Sequence, residues 1–179
     1  QNTANGKAAL QDNTTGDGNT AGGWEALSSN TTGGGNTATG RAALQYNTSG
    51  GSNTAIGISA LSVNTTGSQH TAIGAAAMTT PSTGSRNTAL GAEANIGFGN
   101  LSNATAIGAK AFVDASNCLV LGCISGINYA TESVNVGIGT TTPDVRLQIV
   151  GGTDVSLSGG GYFVSGSVTG LNIGMDDNE

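Results

Sequence analysis

The sequence predicts an all-β chain wound as a parallel β-solenoid of seven 17-residue coils, and three observations carry that prediction. The first is a repeat of constant length, opened at Asn2, Asn19, Asn36, Asn53, His70, Asn87 and Ala104. The second is composition: the 179 residues include 31 glycines but only three Phe, three Tyr and one Trp, too few for a core built from large side chains. The third is alternation. In Thr-Ala-Ile-Gly, the Thr and Ile side chains leave one side of an extended chain and Ala and Gly the other.

The seven openings read NTANGKAAL, NTAGGWEAL, NTATGRAAL, NTAIGISAL, HTAIGAAAM, NTALGAEAN and ATAIGAKAF. Four columns are constant: Thr3 through Thr105, Ala4 through Ala106, Gly6 through Gly108 and Ala9 through Ala111. Helix-pair repeats are longer than this period, and each unit holds several glycines that weaken a helix by about 1 kcal/mol apiece. The second half of most units carries Asn-Thr-Thr-Gly or a variant, at Asn13–Gly16, Asn30–Gly33, Asn47–Gly50 and Asn64–Gly67. It reads as a turn, because Asn and Gly tolerate positive φ. Phe98-Gly99-Asn100-Leu101 breaks this pattern in the sixth unit, and a shortened echo, Asn117–Gly122, closes the array. Stacked about 4.8 Å apart, seven coils make a rod of roughly 34 Å. Gly-rich disorder is the competing reading, but a mean hydropathy of −0.04 and a net charge of −6 do not match it. Collagen is excluded by two prolines and by glycines that do not recur every third residue.

Columns of Ala and Gly bury little apolar area, and solenoid coils cover their faces only against neighbours. A second burial surface is therefore expected. The constant Ala and Gly columns are assigned to the coil interior, and the variable column, Asn5, Gly22, Thr39, Ile56, Ile73, Leu90 and Ile107, to neighbouring chains.

The segments Asn53–Gly57, His70–Gly74 and Ala104–Gly108 resemble the head repeats of trimeric autotransporter adhesins of the YadA type, whose strand reads Ser-Val-Ala-Ile-Gly. That resemblance implies left-handed parallel β-rolls assembled as a homotrimer. It divides the chain into β-roll head repeats over 1–126, a neck-like connector over 127–152 that carries Glu132–Gly137 and Arg146–Val150, and the start of a truncated C-terminal β segment over 153–179. Val136–Pro143 and Gly159–Val164 are more similar to bacterial and phage tail-fibre-type proteins that share these head repeats. Opening in mid-pattern at Gln1 and stopping in Met175–Glu179, the chain reads as a piece of a longer protein.

The residues that could carry chemistry have simpler readings. Gly137-Ile138-Gly139 lacks the third glycine and the βαβ context of a dinucleotide loop. His70, the one histidine, fills the slot that Asn opens elsewhere and reads as a turn residue. Asp12, Asp17, Glu25, Glu93 and Asp114 share no column, which fits solvated charges rather than an acid/base pair or a calcium site. Asn13, Asn30, Asn47, Asn64, Asn100 and Asn103 open Asn-x-Ser/Thr triplets and read as turn residues before glycan acceptors. Cys118 and Cys123 are too few for a disulfide framework or a zinc site and read as buried free thiols, with a disulfide as the alternative. Trp24 and Tyr46 are isolated large residues that could meet a ligand. The Thr column, Thr3 to Thr105, raises an ice-binding alternative, although such faces need two ranks of hydroxyls and the strand supplies one.

Five basic residues against eleven acidic ones leave no cationic stripe for nucleic acid, and no apolar run is long enough to span a bilayer as a helix. The expected function is a non-catalytic head module of a trimeric extracellular bacterial fibre, on a cell surface or a virion. It would adhere to an unknown surface protein or glycan with no cofactor, metal or catalytic residue. A structural spacer in a tail-fibre-like protein is the alternative from another class.

Overall fold

The computed structural model describes residues 1–80, 83–138, 141–144 and 146–149, and among these there is no helix. The element order is β1 (Thr3–Asn5), β2 (Thr20–Gly22), β3 (Thr37–Thr39), β4 (Thr54–Ile56), β5 (Thr71–Ile73), β6 (Thr88–Leu90), β7 (Asn95–Ile96), β8 (Thr105–Ile107), β9 (Phe112–Val113), β10 (Leu119–Leu121), β11 (Val136–Ile138) and β12 (Leu147–Ile149). Eight of them form one parallel sheet, ordered β1-β2-β3-β4-β5-β6-β8-β10. Equivalent residues face each other at every step, as in Thr37↔Thr54, Ala38↔Ala55 and Thr39↔Ile56. The chain is a parallel β-solenoid of about seven turns.

The period is not constant to the end. Thr88 pairs with Thr105 seventeen residues on, whereas Thr105 pairs with Leu119 after fourteen. The shortened echo is therefore the eighth strand of the same sheet. Val136 then pairs with Leu147 after eleven residues, so within the expected neck-like connector β11 and β12 lie parallel to each other in one chain. The expected segment over 153–179 lies outside the described residues.

The strand column Ala21, Ala38, Ala55, Ala72, Ala89 and Ala106 is fully buried, as the alternation requires. A second alanine column, from Ala26 to Ala111, lies across the interior, and Leu27, Leu44, Leu61 and Met78 fill the space between. In the sixth coil the leucine position is taken by Asn95, and Ile96, one residue later, enters the core instead. That shift accompanies the short parallel pair of β7 with β9, in which Val113 is also buried.

The constant glycines do not line the interior, contrary to expectation. Gly57 sits just past its strand at φ +133°, and a Cβ there would fall 2.5 Å from the Gly74 carbonyl oxygen of the next coil. Its lack of a side chain permits close axial stacking at a corner rather than a narrow interior. Positive φ, expected at Asn-Thr-Thr-Gly and at the nearby glycine pairs, is found in the pairs, at Gly23 and Gly35, but not in the segments themselves. The asparagines and glycines of Asn30–Gly33 and its equivalents do not adopt it, whereas Ala42 (57°), Leu44 (51°), Ser59 (57°) and Leu61 (52°) do. A non-glycine residue in this region costs roughly 1–2 kcal/mol. The cost is offset where the turn delivers a leucine into full burial, worth about 1.5–3 kcal/mol.

Two substitutions separate these effects. Leu44→Ala removes buried contacts from a site between two equally packed coils, and a loss of about 2–5 kcal/mol in denaturant unfolding is expected. Gln69 is exposed at φ 60°, in a slot that Gly18 and Gly35 fill at φ 70°. Gln69→Gly should raise stability by about 0.5–1 kcal/mol, read as a higher thermal midpoint.

Candidate functional site: an outward sheet face carried on asparagine ladders

In β2 to β6 and in β8 the central Ala is buried, so the first and third residues of each strand form two parallel ranks outside, which β10 continues with Val120 half-buried at its centre. One rank is the threonine column, half-exposed at Thr37, Thr54, Thr71, Thr88 and Thr105. The other is the variable column, and it changes character along the rod. Asn5, Gly22 and Thr39 give way to Ile56, Ile73, Leu90 and Ile107, with Leu121 of β10 beyond, while Leu119 ends the threonine rank opposite Thr105. Ile56 is 41% exposed, Ile73 40%, Leu119 60% and Leu121 47%, so an apolar band lies open beside a line of hydroxyls.

What holds this face in register lies beneath it. The asparagines that open the repeats are buried, and their amides cross the coil interior. Asn36 donates from Nδ2 to the Gly50 carbonyl at 2.9 Å, while its Oδ1 accepts the Asn53 backbone N–H at 2.9 Å. Asn19 and Asn53 repeat both bonds with the Gly33 and Gly67 carbonyls. A second ladder comes from the Asn-Thr-Thr-Gly segments. Asn47 Nδ2 donates to Asn30 Oδ1 at 2.7 Å and to the Gly50 carbonyl at 2.9 Å, and Asn30 and Asn64 do the same in their own coils. The Gly33, Gly50 and Gly67 carbonyls therefore each accept two amides, one from each ladder.

This arrangement also explains the constant glycine of Asn-Thr-Thr-Gly. A Cβ on Gly33 would meet the Gly50 carbonyl oxygen at 2.3 Å and Asn30 Oδ1 at 2.5 Å. Glycine is present because the amides need its place. Asn30, Asn47 and Asn64 are wholly buried, so they are neither positive-φ turn residues nor accessible glycan acceptors. Beside them, Thr14, Thr31 and Thr48 donate their hydroxyls to the Thr31, Thr48 and Thr65 carbonyls of the following coil.

His70 occupies a place in the first ladder and is 1% exposed, a core residue rather than a surface turn. Its backbone N–H donates to Asn53 Oδ1 at 2.9 Å, and its Nδ1 accepts the Asn87 N–H at 3.2 Å. That bond requires a neutral ring with the proton on Nε2. Burial pushes the His70 pKa down from 6.5 to about 4, against an opposing pull from the Gly84 carbonyl. The second ladder ends nearby. Asn64 Oδ1 is buried without a hydrogen-bond partner, and one period on the sequence has Pro81 instead of another asparagine.

The remaining residues weighed from the sequence do not converge. Asp12 and Asp17 in the first coil, Glu93 in the sixth and Asp114 in the seventh are all exposed, and Glu25 accepts a hydrogen bond from Gln45 Nε2 at 2.9 Å. Among the described residues no three of His, Cys, Asp and Glu come together as metal ligands. Cys118 is exposed and Cys123 half-buried, both as free thiols, which corrects the expectation that both are buried. The reason lies in β10, where Cys118 leads into a strand whose Leu119 and Leu121 are themselves open to solvent. Trp24 and Tyr46 are about half-exposed.

The signal that could have revealed the ladders was present in the repeat: two asparagine columns fourteen and three residues ahead of the same glycine. A surface turn would tolerate Asp, Ser or Gly at such positions, whereas a buried amide that both donates and accepts along the rod does not. A scan against protein-family models, a search of curated proteins and a search of solved structures each returned no match.

Asn47→Ala should therefore cost about 1–3 kcal/mol in chemical denaturation, because it strands buried partners in two coils. His70 adds a pH dependence whose sign is fixed by its depressed folded-state pKa. Between pH 6.5 and 4 the unfolded chain binds a proton that the folded chain refuses. The contribution of neutral His70 is thus complete above about pH 6.5 and is lost as the pH falls toward 4, by on the order of 3 kcal/mol. His70→Asn should flatten the stability profile through that window, measured by thermal melts at successive pH values.

Proposed function

We propose that the chain is a non-catalytic head module of an extracellular fibre, a left-handed β-roll assembled as a homotrimer on a bacterial cell surface or a virion. The observation that carries this reading is the outward sheet face, where Ile56, Ile73, Ile107, Leu119 and Leu121 form an open apolar band. A solenoid whose interior is mostly alanine gains little from that interior alone, and an exposed band of this kind gains by being covered. A second and third copy of the same face supply cover of matching spacing, because each repeats at the same axial step. The likeness of Asn53–Gly57, His70–Gly74 and Ala104–Gly108 to YadA-type head repeats supports the same assembly.

Adhesion follows from display rather than chemistry. Three chains carry three times the formal charge of −6, so general attraction to anionic surfaces is disfavoured and recognition rests on local contacts multiplied by avidity. A structural spacer in a tail-fibre-like protein is the alternative, and the isolated chain would then bind no surface. The ice-binding reading draws less support from the face, since its second rank holds hydroxyls only at Thr39.

Light scattering on the purified chain should give the mass of three chains. Ile73→Asp places a charge on a half-exposed residue that the single coil does not need, and it should shift the mass toward one chain while β-sheet circular dichroism persists. A folded monomer in the parent protein at micromolar concentration contradicts the assembly.

A further inference from the structure

The corner after each Thr-Ala-x-Gly strand carries one outward side chain per coil. In the first four coils these are Lys7, Trp24, Arg41 and Ile58, and in the next three they are alanine. Backbone hydrogen bonds hold the large residues in axial register. Glu25 N donates to the Lys7 carbonyl at 2.9 Å, and Ala42 N and Ser59 N donate to the Trp24 and Arg41 carbonyls, each at 2.8 Å. Stacking at about 4.8 Å per coil puts Lys7 and Arg41 on either side of the indole, with their backbones roughly 10 Å apart.

Lys7 and Arg41 are exposed, and Trp24 is 49% exposed. Neither cationic head is held in an ion pair or a hydrogen bond among the described residues. Glu25, next to Trp24 in sequence, receives the Gln45 side-chain amide. The chain has only five basic residues and one tryptophan, and two of those five flank that tryptophan. Nothing in the solenoid requires this: the same corner closes equally well on Ala75, Ala92 and Ala109.

We propose that Lys7, Trp24 and Arg41 form a binding row for an acidic polysaccharide, with one sugar ring on the indole face and acid groups of the chain on the flanking cations. The proposal rests on the reading of the protein as a surface-binding fibre module and names the ligand class for it. An aromatic face offers a sugar ring a broad apolar platform. Arg presents a planar fork that fits a carboxylate or a sulfate, and Lys a mobile point charge. A neutral glycan would leave both cations unused. Nucleic acid binding asks for a basic track along the phosphate backbone that is longer than two residues.

Because Trp24 is the only tryptophan, fluorescence of the intact chain excited selectively at tryptophan, beyond the absorption of its three tyrosines, reports on this row. The probes are polygalacturonate for carboxylates, dextran sulfate for sulfates, uncharged dextran and oligothymidylate. At low salt a saturable change is expected with at least one of the two acidic polysaccharides, weakening as salt rises, and none with dextran. Lys7→Ala combined with Arg41→Ala should lower the affinity at least tenfold. Trp24→Ala, followed with fluorescein-labelled polysaccharide, should do the same while its thermal midpoint stays near that of the parent. Which polysaccharide binds more tightly identifies the acid group. The proposal is overturned if neither acidic polysaccharide binds, if the double variant binds like the parent, or if oligothymidylate binds as tightly as the polysaccharide. Undiminished binding of the labelled polysaccharide by the Trp24→Ala protein also overturns the row and leaves the fibre-head reading standing. A monomeric mass overturns the fibre head, and the polysaccharide titration still decides the row.

Discussion

Every coil of this protein must pair polar backbone groups that its own short strand cannot reach, in an interior filled by alanine, leucine and asparagine side chains. The buried asparagine amides meet that requirement. Each gives two N–H groups and a carbonyl to fixed positions, and each position recurs in the coil above and the coil below. An unpaired buried amide or carbonyl costs about 1–3 kcal/mol, comparable to the burial of a whole leucine side chain. The ladders therefore rank with the alanine and leucine columns in holding the cross-section, and they set what may vary. Residues crowded by a ladder are held small, as at Gly33 and Gly50, and the outward threonine rank is constant too, while the corner positions differ from coil to coil, as at Lys7, Trp24 and Arg41.

This division separates scaffold from surface. The sheet face drifts from polar to apolar along the rod although its register never slips over the first seven strands in the stack. The interior determines where each outward side chain stands, and the outward positions are then open to any chemistry that binding demands. His70 is a departure from the pattern inside the scaffold itself, and it keeps the ladder's axial connections on both sides, to Asn53 through its backbone N–H and to Asn87 through Nδ1.

Much of the architecture was legible in the sequence because repetition makes register visible. Thr-Ala-x-Gly gave the strand, its spacing gave the coil, and alternation correctly sent Ala55 inward and Ile56 outward. Three features were not legible. Asn30 and Asn47 have the composition of turn residues, and local preference could not distinguish a turn from a buried amide stack. Leu44 and Leu61 at positive φ contradict local preference outright; tertiary burial outweighs it there, a balance that no single repeat displays. The constant glycines were read as space inside the coil, whereas Gly57 makes room between one coil and the next. Of the outward face, the ranks were legible from period alone, but the row at Lys7, Trp24 and Arg41 required knowing that each coil closes through the same corner.

The identity of the slots from coil to coil has an evolutionary meaning. Because Asn36 makes toward Gly50 and Asn53 the same bonds that Asn19 makes toward Gly33 and Asn36, the second, third and fourth coils can sit on one another without a new joint. In-frame duplication or recombination between units would lengthen the molecule by about 4.8 Å at a time and disturb no existing bond. Reach then becomes an inheritable quantity that selection can adjust in whole steps, separately from what the exterior recognises.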